Sequence, residues 1–96
     1  MKDVIYGIAK TIMDGLKDAE AQYEYARTAN ESGKHDLALR HIEEAKKRLA
    51  GVKEWYDFGT KMLGDKPESI VGVFMELFLQ WHRGVVDKLA TFKPGA

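Results

Sequence analysis

The sequence predicts an all-α fold, an elongated antiparallel bundle of three helices completed by pairing with a second copy. Three observations lead there. Two stretches repeat apolar or small residues in unbroken three-four steps over more than three heptads, the seam of a long bundled helix. A third stretch, Ile70–Trp81, is apolar at nine of twelve positions, and only Glu76 and Gln80 are strongly polar. A helix apolar nearly all round is buried on more than one side. Finally, the chain has only two prolines and is rich in Ala, Leu, Glu and Lys, which favours helix over strand.

The first helix spans about 3–32, with the seam Ile5, Ile8, Ile12, Leu16, Ala19, Tyr23, Ala26 and then Ala29 or Asn30. Gly15 lies beside this seam, where a missing side chain lets a neighbour come close. Gly33 is placed to end the helix as a left-handed cap. Lys34-His35-Asp36 is a short connection that forces an antiparallel hairpin, and Asp36 is the expected cap of the next helix.

The second helix spans about 37–63, with the seam Ala38, Ile42, Ala45, Leu49, Val52, Tyr56, Gly59 and Leu63. Its outer face reads Asp36→Arg40, Glu43→Lys47, Glu44→Arg48 and Asp57→Lys61. These are acid-before-base pairs four apart, each contributing about 0.3 kcal/mol. Gly64 is a natural stop. Asp65-Lys66-Pro67-Glu68 combines an acidic cap, a proline in the first turn and a glutamate three residues on, which marks a new start.

The third helix spans about 68–92. Val71, Phe74, Phe78, Trp81, Val85, Leu89 and Phe92 form one stripe, and Ile70, Val73, Leu77 and Leu79 widen it past a single face. Residues 93–96 are read as a loose tail. Helices of this length from ninety-six residues make one thin domain, 1–96. The surplus apolar surface marks an interaction site, and a homodimer through Phe74, Phe78 and Trp81 is the expectation.

Composition excludes several classes of function. Fifteen basic and fifteen acidic residues cancel, so no overall field draws nucleic acid or an anionic membrane to the chain. The basic run Lys46-Lys47-Arg48 with Lys53 is diluted by Glu43, Glu44 and Glu54 and reads as a charged outer face. Cysteine is absent, which removes disulfides, thiolate metal sites and thiol nucleophiles. The chain shows no Gly-rich phosphate loop and no serine nucleophile with a base. The N-terminal stretch lacks the apolar core of a signal peptide, and no stretch reaches the roughly 20 apolar residues of a membrane span. The expected location is the cytoplasm.

Candidate metal ligands are few. His41 and Glu44 stand three apart on the second helix, and Glu20 flanks the first seam where it could face His41 across the hairpin. A Glu with His-x-x-Glu is a donor set suited to iron, manganese or zinc. Against it stands a boundary histidine with a surface glutamate paired to Arg48. His82 and Glu76 lie on different faces of the third helix, and the face shared by Glu76 and Gln80 reads as wet. His35 lies in a turn.

Asp18-Ala19-Glu20, the aromatic run Tyr23-Glu24-Tyr25-Ala26, the Gly33–Asp36 turn and Leu37-Ala38 resemble ferritin-like, rubrerythrin-type helical chains. The whole chain is similar to short three-helix members, with Glu76 and His82 as the acid and histidine of a proline-led third helix. The resemblance implies a bundle in which a glutamate on the first helix and Glu-x-x-His on the second hold two irons. Glu20 matches the first position. The second motif is replaced by Arg48 and Gly51, so the resemblance implies the scaffold with a degenerate metal site. Tyr25-Ala26, Gly33-Lys34-His35, Ala38-Leu39 and Ala45 also resemble a tetratricopeptide-type hairpin, though no second copy at that repeat length is visible.

The resulting expectation is a non-enzymatic, self-associating structural or interaction protein without a cofactor. The alternative is a ferritin-like protein handling iron, manganese or peroxide through Glu20, His41, Glu44 and His82. A second alternative is a peptide-binding adaptor with a groove along Phe74, Phe78 and Trp81.

Overall fold

The structure, a computed structural model, describes residues 2–63 and 70–95, with side chains described for 6–62, 73 and 75–95. The chain is all-α: α1 runs Lys2–Glu31, α2 His35–Leu63 and α3 Ile70–Thr91. No strand occurs among the described residues. The expected Gly64–Glu68 break, and the side chains of Phe74, Ile70, Val71, Ile5 and Leu63, lie outside what is described.

α1 and α2 run antiparallel. Gln22 meets His41, Gly15 meets Val52, and Ile8 lies against Gly59. α3 returns alongside α1, with Met75 against Gly59 and Ile8 at one end and Phe92 against Tyr23 at the other. The molecule measures 48 × 19 × 15 Å, close to the roughly 45 Å of a thirty-residue helix at 1.5 Å per residue. α1 and α2 pack intimately over their length, and α3 touches each far less.

The two predicted hairpin seams form the core. Ile8, Ile12, Leu16, Ala19, Ala26 and Ala29 of α1 are buried with Ala38, Ile42, Ala45, Leu49 and Val52 of α2. Five of these are alanines gathered near the turn, where short side chains allow close helix approach. The open end is filled by isoleucine, leucine and valine, each worth about 1.5–3 kcal/mol when fully buried. Gly15 serves as expected: a Cβ there would collide with Val52 Cγ2.

α3 buries Met75, Val85 and Leu89, while Phe78, Trp81 and Phe92 pack part-buried against the core. Met75 was not in the predicted stripe. It reaches over Gly59, where a Cβ would stand 2.9 Å from Met75 Cε and 3.2 Å from Ile8 Cγ2. The glycine in the α2 seam thus receives a long, flexible side chain from α3.

The turn is a Schellman motif. Lys34 N–H donates to Ala29 O at 2.8 Å and Gly33 N–H to Asn30 O at 3.1 Å, with Gly33 at φ 79°. These bonds satisfy carbonyls that a helix end otherwise leaves free. The predicted cap is displaced: Ala38 N–H donates to Lys34 O, so Lys34 holds the cap position and Asp36 lies inside the first turn. Its carboxylate still complements the positive helix end. The helix thus starts two residues early, at His35, whose ring donates through Nδ1 to Asn30 Oδ1 at 2.7 Å. The same oxygen accepts Gly95 N–H at 2.8 Å, so the segment read as a loose tail is fastened to the turn.

Of the four predicted pairs on α2, Glu44–Arg48 forms, at 3.9 Å. Glu43 instead reaches Lys46 at 3.5 Å, and Glu44 also meets Lys47 at 3.8 Å. These exposed contacts contribute little to stability.

Candidate functional site

Glu20 faces α3 and not His41. Its Oε1 accepts Trp81 Nε1–H at 2.5 Å, and its Oε2 lies 3.6 Å from Lys88 Nζ. The reason is helical phase. Gln22, two residues or about 200° further round, is the residue that points at α2, and its Oε1 accepts His41 Nδ1–H at 2.7 Å. The two positions cannot face the same neighbour. Lys88 also stands 5.9 Å from the Tyr23 ring centre, and Tyr23 packs edge-on against Phe92. Glu20, Trp81, Lys88 and Tyr23 therefore form a polar clasp between α1 and α3.

The four metal candidates are dispersed. His41 is held by Gln22 and packs at a tilt against Tyr25, with ring centres 5.6 Å apart. Glu44 is engaged with Lys47 and Arg48 on the outer face. His82 is half-buried on the α2 side of α3, about 100° round the helix from Trp81 of the clasp. Among the described residues no three His, Asp or Glu side chains converge on one point. A lysine beside Glu20 is a cation already in place, and it opposes a second one by charge repulsion. Glu76 and Gln80 are exposed, as a wet face requires.

The proposed interface residues divide. Phe78 and Trp81 pack part-buried against the chain's own core, and Phe74 lies outside the described side chains. Among the described residues, the large apolar side chains that α3 leaves uncovered are Val73 (54% exposed), Leu77 (52%) and Val86 (41%). α2 adds Trp55 and Phe58, which pack edge to face with ring centres 6.1 Å apart.

Between α2 and α3 lies an open groove of about 400 Å³. Ile12 and Val52 form its floor, and Tyr56, Phe78, Leu79 and Val86 its walls. It continues toward the hairpin turn past Leu49, Leu89 and Ala90. Lys53, Asp57, Arg83 and Asp87 stand on its rim, with His82 between them.

No protein family, curated protein or solved structure matches this chain. No described helix is long and apolar enough to cross a membrane.

Lys88, Gln22, Arg83 and Asp87 have no part in the sequence reading, and Asn30, Lys53 and Asp57 enter it only as a seam position, a charged outer face and half of an intrahelical pair. The available signal was faint. Trp81 and Lys88 are seven apart on α3, two turns on one face, and a tryptophan N–H that is half-buried needs an acceptor.

Proposed function

We propose that the chain is a self-associating, non-enzymatic structural or interaction protein that works as a homodimer. On this reading its three helices form a bundle that the second copy completes. The observations supporting it are the unfinished burial of α3, the most apolar helix, which leaves Val73, Leu77 and Val86 half-exposed, and the open apolar groove, lined in part by Val86, between α3 and α2. Apolar surface of this kind is costly in water and is covered when a partner is present. The scaffold reading is ferritin-like with a degenerate metal site: Glu20 serves as acceptor for Trp81 and counter-ion of Lys88.

Sedimentation equilibrium tests the reading. The expected result is twice the chain mass at micromolar concentration. A single-chain mass persisting to about 100 μM, a very weak association at best, would overturn it. Elemental analysis of protein purified without a histidine tag addresses the metal alternative. Iron and manganese are expected well below one per chain. Stoichiometric metal that vanishes in Glu20→Ala would favour metal handling instead.

A further inference from the structure

One side chain in the last turn of α1 joins segments of all three helices. The carboxamide oxygen of Asn30 accepts His35 Nδ1–H, from the first turn of α2, at 2.7 Å. It also accepts Gly95 N–H, from the segment after α3, at 2.8 Å. Such an oxygen has two lone pairs, and both are taken. The backbone oxygen of the same residue accepts Gly33 N–H at 3.1 Å, so Asn30 also holds the hairpin turn.

The segment after α3 is shaped for this contact. Pro94 and Gly95 form a turn, with Gly95 at φ 82°. Proline followed by a left-handed glycine is the pattern of a type II turn, whose own hydrogen bond joins its first and fourth residues. The glycine N–H is left free to donate outward, and Asn30 receives it. The tie falls where the hairpin has least apolar surface to offer. Its buried residues nearest the turn are Ala26, Ala29 and Ala38, and alanine buries far less than leucine or valine. α3 itself ends on a long bond, Phe92 N–H to Leu89 O at 3.4 Å.

We propose that residues 93–95 are a latch, with Asn30 as its keeper, that holds the end of α3 shut against the hairpin. Latched, Leu89 stays buried and Phe92 stays edge-on to Tyr23. Released, the last turns of α3 lift from the core without unzipping α1 from α2. The device belongs to a single chain and does not rest on self-association.

Native-state amide hydrogen exchange of the full chain tests this, because exchange reports how often a segment opens. It is read at residues 85–91 of α3 and, for comparison, at 49–52 of α2. Asn30→Ala removes the keeper. Gly95→Ala puts a side chain at a left-handed φ, and the added Cβ meets nothing within 4 Å, so it acts on the backbone of the turn alone. Each is expected to speed exchange at 85–91 about fivefold, the worth of one net hydrogen bond, with 49–52 at the native rate. The double variant is expected to match the single ones, because both changes remove the same contact. His35→Ala, which removes the other bond to that oxygen, is expected to leave 85–91 unchanged. Native exchange at 85–91 in Gly95→Ala overturns the latch, and that variant decides alone if Asn30→Ala loses its helix. An equal rise at 49–52 overturns it too, since the loss is then general. So does a double variant about 25-fold faster, the product of two independent losses. An equal rise in His35→Ala would assign the effect to the turn and refute the latch.

Discussion

Trp81→Ala is expected to lower the unfolding free energy by about 3 kcal/mol in urea titration at fixed protein concentration. Trp81 joins three of the structure's features. It packs part-buried on the core, it gives Glu20 a hydrogen bond, and it stands where α3 meets α1. Truncation removes the ring's buried area and leaves Glu20 with Lys88 alone. The value sits at the low end for large aromatic truncations because the ring is not fully enclosed. Trp81→Phe separates the contributions. It keeps most of the ring volume and loses the N–H donor, so about 1 kcal/mol is expected. A loss for Trp81→Ala below about 1 kcal/mol would mean that the ring lies outside the core and that the α1–α3 clasp does not hold the helices together.

Leu16→Ala is expected to cost more, about 3–5 kcal/mol. Leu16 is 0% exposed, and its neighbours belong to the interlocked α1–α2 seam, which has little freedom to collapse into a cavity. Alanine is only slightly the better helix former, so propensity offsets little of the loss. Small domains hold about 5–15 kcal/mol in total, so this single change should bring unfolding close to ambient conditions. Leu39→Ala is the matched control. Leu39 is 44% exposed on the same hairpin, and its loss is expected to stay within about 0.5 kcal/mol. Similar costs for the two leucines would mean that the seam is not where the structure has it.

The contrast between those leucines shows what periodicity reveals. In α1 and α2 the three-four spacing leaves a single face to bury, and the side chains at Ile8, Ile12, Leu16, Leu49 and Val52 follow it. The end of α1 at Gly33 is legible for a similar reason, since a left-handed glycine is a local requirement, whereas the start of α2 is not. α3 offered no such guide. A helix apolar at nine of twelve consecutive positions fits several orientations, so the reading missed Met75 and left undecided that Val73 and Leu77 stay outside. Glu20 illustrates a different limit. Its partners lie on a helix distant in sequence, and only the phase of α1, fixed by Gln22 and His41, decides which neighbour it meets. Asn30 is similar: nothing local to an asparagine in a last helical turn announces that it will hold a ring and a backbone amide from two other segments.

The unequal grip of the helices has a consequence for how the molecule breathes. The hairpin is zipped along its length, whereas α3 is tethered mainly by a few large side chains and one clasp to α1. Motions that free part of a protein start where the least surface must be re-wetted. The third helix is thus expected to peel away first and to exchange its amide hydrogens faster than the paired first two. Whatever lies across that helix from outside will set how often it lifts.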